Sequence, residues 1–247
     1  MSRLIVGIVG EIKAGKGMIE AHLKQRYEGD WDYTRFSAPL TRALGHLALP
    51  NTRENLQDLS SLLRQGLART RPGEVTGWMR GYMLEHAGDS MLTNALHHAL
   101  DIFYLDAAWS SVASLAGPLM EHGFGEDILA KTIGKDCERA TKDCMIVDGV
   151  RRMADIVTLQ EMPNFHLVYI TAPLEMRLAW AIAAAEKVGD ASLTPEKFLE
   201  QNAAEPELEI PLVGSHAHLR IDNVGTKDDV FRRLDGYLDG VDAVAYA

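Results

Sequence analysis

The chain has 247 residues, 47% of them hydrophobic and 24% charged, the balance of an ordinary globular protein long enough to bury a sizeable core. Its formal net charge of −10 argues against broad, sequence-independent DNA binding, which needs a basic surface to displace counterions. No run of about 18 uninterrupted apolar residues is present and the N-terminus has no signal-peptide layout; with two cysteines, Cys137 and Cys144, that form no metal-type pair, this predicts a cytoplasmic protein with free thiols and no membrane span.

Residues 4–9, LIVGIV, are apolar throughout, the pattern of a strand buried on both faces of a parallel sheet. A turn follows, Gly10, Glu11, Ile12, Lys13, Ala14, Gly15 and Lys16. A helical pattern then places Met18, Ile19, His22 and Leu23 on one side and Glu20 and Lys24 on the other. G-x-x-x-x-G-K between a strand and a helix is the layout of a phosphate-binding loop. Backbone N–H groups line the concave turn, and the helix N-terminus adds the positive end of its dipole. Gly10 and Gly15 allow the tight path, and Lys16 reaches toward the β and γ phosphates. The hydroxyl that normally follows this lysine and helps hold Mg²⁺ is missing: Gly17 stands there, and Met18 does not replace it.

Residues 32–37 predict a second strand. Ser37-Ala38-Pro39-Leu40 predicts a helix with Ser37 as cap and Leu40, Ala43, Leu44 and Leu47 inward. Thr52, with Asn55 three residues on, predicts another, buried along Leu56, Leu59, Leu62 and Leu63. After the break at Arg71-Pro72-Gly73, helical patterns run through residues 78–83 and 90–120. His97 and His98, adjacent in sequence, face different sides of such a helix and make a poor metal pair. Residues 124–140 are helical. CMIVDGV, 144–150, reads as a buried strand with Asp148 near its carboxyl end and Arg151 and Arg152 just beyond, where ligands bind in such sheets. A helix over 153–162 leads to a strand at 165–171 and a long helix, 173–188, carrying Arg177. Thr194-Pro195 starts a further helix, 206–211 is irregular, 218–222 is the last strand, and a helix over 227–238 closes the pattern. His216 and His218 share a strand face but have no third ligand. Five strands alternating with helices predict an α/β fold: a parallel five-stranded sheet in three layers.

GEIKAGKG, RFSAPL, NTRENLQDLSSLLR, FGEDILAK, VDGVRRMADIVTL and IDNVGT together resemble the P-loop nucleotide kinases of the deoxynucleoside-monophosphate-kinase and dephospho-coenzyme-A-kinase type. The resemblance spans residues 4–63 and 124 to about 238 in shared order. It implies a single P-loop kinase domain over 1–247, with residues 66–123 as a helical insertion outside the family pattern. It implies ATP and Mg²⁺ as cofactors. Residues 10–18 would cradle the ATP phosphates, with Lys16 as the charge-stabilising lysine, and Asp148 would hold or polarise the metal's water shell. Arg35, Ser37, Arg42, Arg151 and Arg152 would face the phosphoryl acceptor. Arg177 would stand where the family begins its lid arginines, and Asn223, Gly225 and Thr226 would lie beside the adenine. The expected activity is phosphoryl transfer to a nucleotide-type acceptor.

Two alternatives remain at this level. One is a phage-type kinase of the same fold that phosphorylates 5-hydroxymethyl-pyrimidine in DNA, disfavoured by the acidic charge and favoured by an insertion able to take a flipped base. The other is a nucleotide-binding regulatory protein without catalysis, favoured by Met18 and the thin set of lid arginines. The insertion itself reads either as a cap over the acceptor, offering Arg69, Arg71 or Arg80, or as a homodimer surface through Leu96, Leu100, Phe103 and Trp109.

Overall fold

The computed structural model describes residues 3–70, 81, 85, 98, 102–104, 119, 121–188 and 193–245. Contacts sort the chain into two compact units, one of Met1–Thr34 with Ala140–Ala247 and one of Arg35–Arg139.

The first unit carries the sheet. Strands β1 (Leu4–Val9), β2 (Trp31–Arg35), β3 (Cys144–Asp148), β4 (Phe165–Thr171) and β5 (Leu219–Asp222) lie in the order β2-β3-β1-β4-β5. β1 pairs in parallel with both β3 and β4, and β4 with β5. All six β1 residues are buried, as a central strand between covering helices requires. One face packs Leu4, Val6, Ile8, Ile146, Val168 and Ile170 against Ile19 and Leu23 of α1 (Lys16–Arg26) and against Val230, Leu234 and Leu238 of the closing helix, Lys227–Ala245. This apolar burial, at about 25 cal/mol per Å², holds the strand ends in register. His22 and Arg26 of α1 also pair with Asp235 on the closing helix, at 2.9 and 3.3 Å.

The second strand runs 31–35 rather than 32–37, and the helix after it begins at Ser37, so Ser37 is its first residue and not a cap. In this second unit lie α2 (Ser37–His46), α3 (Arg53–Gln65) and α4 (Ile128–Arg139). Thr52 caps α3 as its sequence suggests, its hydroxyl accepting from the Asn55 amide at 3.1 Å. Of the expected helices at 78–83 and 90–120 only residues 81, 98, 102–104 and 119 are among the described residues; Arg71, Arg80, His97, Leu96, Leu100 and Trp109 fall outside them. The ends of the 66–123 segment are described, and they meet. Leu67 donates to Leu119 (2.9 Å), Phe124 to Leu63 (2.7 Å) and Gly125 to Arg64 (3.1 Å), so the two ends of the segment lie side by side.

In the first unit, β3 is followed by α5 (Met153–Gln160) and β4 by α6 (Leu174–Val188). α7 (Pro195–Asn202) is capped by Thr194, which accepts from the Lys197 amide at 3.3 Å. The stretch expected to be irregular instead forms two short helices, α8 (Glu205–Leu208) and α9 (Ile210–Ser215). Pro206 and Pro211 sit in their first turns, where the missing N–H is no loss and the fixed φ favours the helix. The closing helix is α10.

Candidate functional site

The carboxyl end of β1 runs into the Gly10–Lys16 turn, and the geometry there explains its glycines. A Cβ on Gly10 would stand 2.3 Å from the carbonyl oxygen of Ile170 on β4, so only hydrogen fits. The turn closes with Ala14 donating to Glu11 (3.1 Å), with Lys13 at φ 64 and Gly15 at φ 119. Both are left-handed conformations, cheap only for glycine. α1 then begins at Lys16. Gly15 contributes no capping side chain, and its carbonyl accepts from the amides of Met18 (2.9 Å) and Ile19 (3.3 Å), so the N–H groups at the very start of α1 are the ones that can face an anion.

Lys16 is part-buried and its ammonium lies back along the turn, donating to the carbonyls of Gly10 (2.5 Å) and Glu11 (3.0 Å). Burial holds its pKa below the usual lysine range, and the Arg151 cation acts in the same direction. Glu207, Asp148 and Glu11 oppose that shift, in that order. The three carboxylates belong to the loop itself, to the end of β3 and to α8.

Each carboxylate has a defined mooring. Glu11 turns away from the loop mouth, accepting from Tyr169 Oη (2.6 Å) and Thr171 Oγ1 (3.1 Å) of β4, while its Oε2 is buried without a hydrogen bond. Glu11 therefore serves an anion through its backbone, its side chain being spent on the sheet. Burial, and then the bond to Glu11, push the Tyr169 phenol upward. Asp148 ends β3 opposite Ile8 of β1, two residues before Gly10. Its Oδ2 accepts weakly from Tyr33 of β2 (3.4 Å), and its Oδ1 is buried without a partner. Lys24 lies over the Tyr33 ring at 4.4 Å and bonds Glu20 at 2.5 Å, fixing the phenol that meets Asp148. Glu207, from α8, stands 3.3 Å from the Arg151 guanidinium.

Several residues expected to touch nucleotide brace the loop. Arg177 is buried, and its guanidinium donates to the carbonyls of Ala172 (3.0 Å) and Ile12 (3.1 Å) and to Asn202 Oδ1 (2.6 Å). Asn223 donates from Nδ2 to the Ala14 carbonyl at 2.9 Å. Thr226 and Asp229 form a reciprocal capping box at the start of α10: Thr226 N–H and Oγ1 reach Asp229 at 3.0 and 2.7 Å, and the Asp229 amide donates back at 3.2 Å. Gly225 packs beside it, a Cβ there lying 2.9 Å from Asp229 Oδ2. Met18 packs against the core and Gly17 is exposed, so neither brings a hydroxyl to the loop.

The amides of Arg151 and Arg152 both donate to the buried Asp155, at 3.2 and 3.0 Å, which fixes the turn after β3. Within the second unit, Arg35 is exposed, Ser37 opens α2, and Arg42 approaches Asp136 of α4 at 3.9 Å. Asp136 also accepts from Tyr104 at 2.7 Å. His218 accepts at Nδ1 from the Leu167 amide at 2.9 Å, and His216 is exposed; no group of three or more metal-ligating side chains occurs among the described residues. Glu207, Tyr33, Tyr169 and Thr171 were not singled out by sequence. The alternation of β4 places Tyr169 and Thr171 on one face, a signal that was available; Glu207 had none, lying in a stretch that reads as irregular.

No family model matches the chain, and no curated protein does either. Among solved structures, the chain is similar to TT1252 from Thermus thermophilus, at 16% identity and a TM-score of 0.49 over 97% of this chain and 98% of that one. It is also similar to the shikimate kinase from Acinetobacter baumannii in complex with shikimate, at 11% identity and a TM-score of 0.43 over 97% and 94%. The shikimate kinase from Aquifex aeolicus gives 10% identity and a TM-score of 0.41 over 97% and 99%.

Proposed function

We propose that the chain is an ATP-dependent phosphotransferase that acts on a nucleotide-type acceptor, in the manner of a nucleoside monophosphate kinase. The observation that carries this reading is the N-terminus of α1, without a side-chain cap, at the end of the turn that follows a buried central strand, with Lys16 laid along that turn and Asp148 at the end of the adjacent strand β3. An electropositive cradle of backbone donors and one lysine suits a polyphosphate. Phosphoryl transfer asks for little more than alignment and charge neutralisation.

In this reading residues 10–18 hold the phosphates through backbone N–H groups, and Lys16 leaves its carbonyls for the β and γ oxygens. Arg177 and Asn223 keep the loop in shape from behind, through Ile12 and Ala14. Gly225 and Thr226 border the base. The unpartnered, buried Oδ1 of Asp148 fits a Mg²⁺ ion or one of its waters, since that ion takes most of its ligands from phosphate and water. Bound there, Mg²⁺ would neutralise charge on the phosphates. Arg151 supplies a second cation, and Arg152 follows it just beyond the end of β3.

A non-catalytic nucleotide-binding role has one observation in its favour, the absence of a hydroxyl at Gly17 and Met18. Replacement of Lys16 tests the reading. Lys16→Ala should weaken ATP binding about 100-fold, the size of one or two charge-assisted hydrogen bonds, with an unchanged melting temperature. Unaltered ATP affinity in that variant would reject it.

A further inference from the structure

Among the described residues Glu207 is the one buried glutamate, and its position has no counterpart in the site just proposed. Its side chain is 4% exposed, whereas that of its partner Arg151 is 41% exposed. Burying a carboxylate is costly unless a cation answers it. Here the answering cation is an arginine whose other end faces out. The contact is ionic rather than hydrogen-bonded: Oε1 lies 3.3 Å from Nη1 and has no hydrogen bond of its own.

The backbone of the same arginine is held independently. Its amide and that of Arg152 donate to Asp155, and the Met153 amide donates to Glu209 Oε2 at 2.9 Å. Glu207 and Glu209 lie two residues apart, across the junction of α8 and α9. These short helices therefore dock on the turn after β3 through two carboxylates, one fixing backbone and one fixing a guanidinium. Fixing a charged group before substrate arrives is what transition-state stabilisation requires.

We propose that Glu207 is a positioning residue, holding the Arg151 guanidinium where it serves phosphoryl transfer beside Lys16. This rests on the phosphotransferase reading above.

The test is a double-mutant cycle on the full chain, with ATP and whichever acceptor supports turnover. Glu207→Gln should lower kcat about 10- to 100-fold while the dissociation constant for ATP stays within about threefold. In an Arg151→Ala background the same substitution should cost almost nothing, because its effect runs through Arg151. Glu207→Asp, which keeps the charge but shortens its reach, should fall between wild type and Glu207→Gln, and it carries the test if Glu207→Gln does not fold. Equal losses from Glu207→Gln in both backgrounds, or wild-type kcat in Glu207→Asp, would overturn positioning alone. A wild-type chain that binds no ATP, or transfers phosphoryl to no acceptor, would remove the underlying reading and this inference with it.

Discussion

Gly10 shows how little freedom the loop has. A methyl group there meets the Ile170 carbonyl, a backbone atom of a central strand that does not give way. Gly10→Ala should cost about 1–3 kcal/mol by overpacking, and should weaken ATP binding beyond what the stability loss explains. Denaturant unfolding with ATP titration checks both; a variant as stable as wild type would show that β1 and β4 separate more easily than their packing indicates. At this scale the loop was legible as a glycine-bounded turn between an apolar strand and a helix, and Asp148 as the last residue of β3; the side-chain contacts around them were not. Arg177 was read as a lid arginine from its spacing along the helix. Spacing gives the face of a helix and not what that face meets, and here it meets the loop carbonyl of Ile12. Asn223 was similarly placed near the nucleotide by pattern, while its amide holds Ala14.

Among elements, strands 4–9, 144–148 and 165–171 were plain as short apolar runs, since a strand covered on both faces has little room for polar residues. The α8–α9 pair was missed because two prolines read as breakers, although in a first turn proline starts helices. A pH response belongs to the packing of β4, β5 and α10. His218 accepts the Leu167 amide, His166 meets Tyr237 Oη at 2.6 Å, and the two rings lie 5.3 Å apart. Burial lowers both histidine pKa values, and His218 lowers that of His166 further. As pH falls below about 6.5 the unfolded chain therefore binds protons first. The stability present above that pH is lost as pH falls through the folded values. Replacing both rings (His166→Phe with His218→Gln) should flatten the fall in Tm between about pH 7 and 5, by at most about 2–4 °C because the rings are partly solvated. A double variant whose Tm falls as steeply as that of wild type would contradict this.

At the scale of the molecule, the parallel sheet in the order β2-β3-β1-β4-β5 puts the loop at the middle strand, with the ends of β3 and β4 on either side. That order could not be read from the chain, because pairing between distant strands leaves no local mark. The pairing of residues 63–67 with 119–125 was equally invisible, since it too joins positions far apart in the chain. If that segment caps the acceptor, joint replacement of Arg69, Arg71 and Arg80 by alanine should lower turnover about 100-fold or more with ATP affinity preserved. Full activity, with oligomeric state changed only by substitution at Leu100, would assign the segment to self-association instead; Phe103, expected on such a surface, is buried at 2% exposure and is not available to it. The account as a whole turns on phosphoryl transfer, and the most direct measurement follows the γ-phosphoryl group of ATP in the presence of nucleoside monophosphates, dephospho-coenzyme A and hydroxymethylated DNA, each offered separately to wild type and to Lys16→Ala. The account predicts that wild type phosphorylates a free nucleotide-type acceptor with stoichiometric ADP and that Lys16→Ala does not; ATP binding by wild type with no transfer to any acceptor, or transfer undiminished in Lys16→Ala, would contradict it.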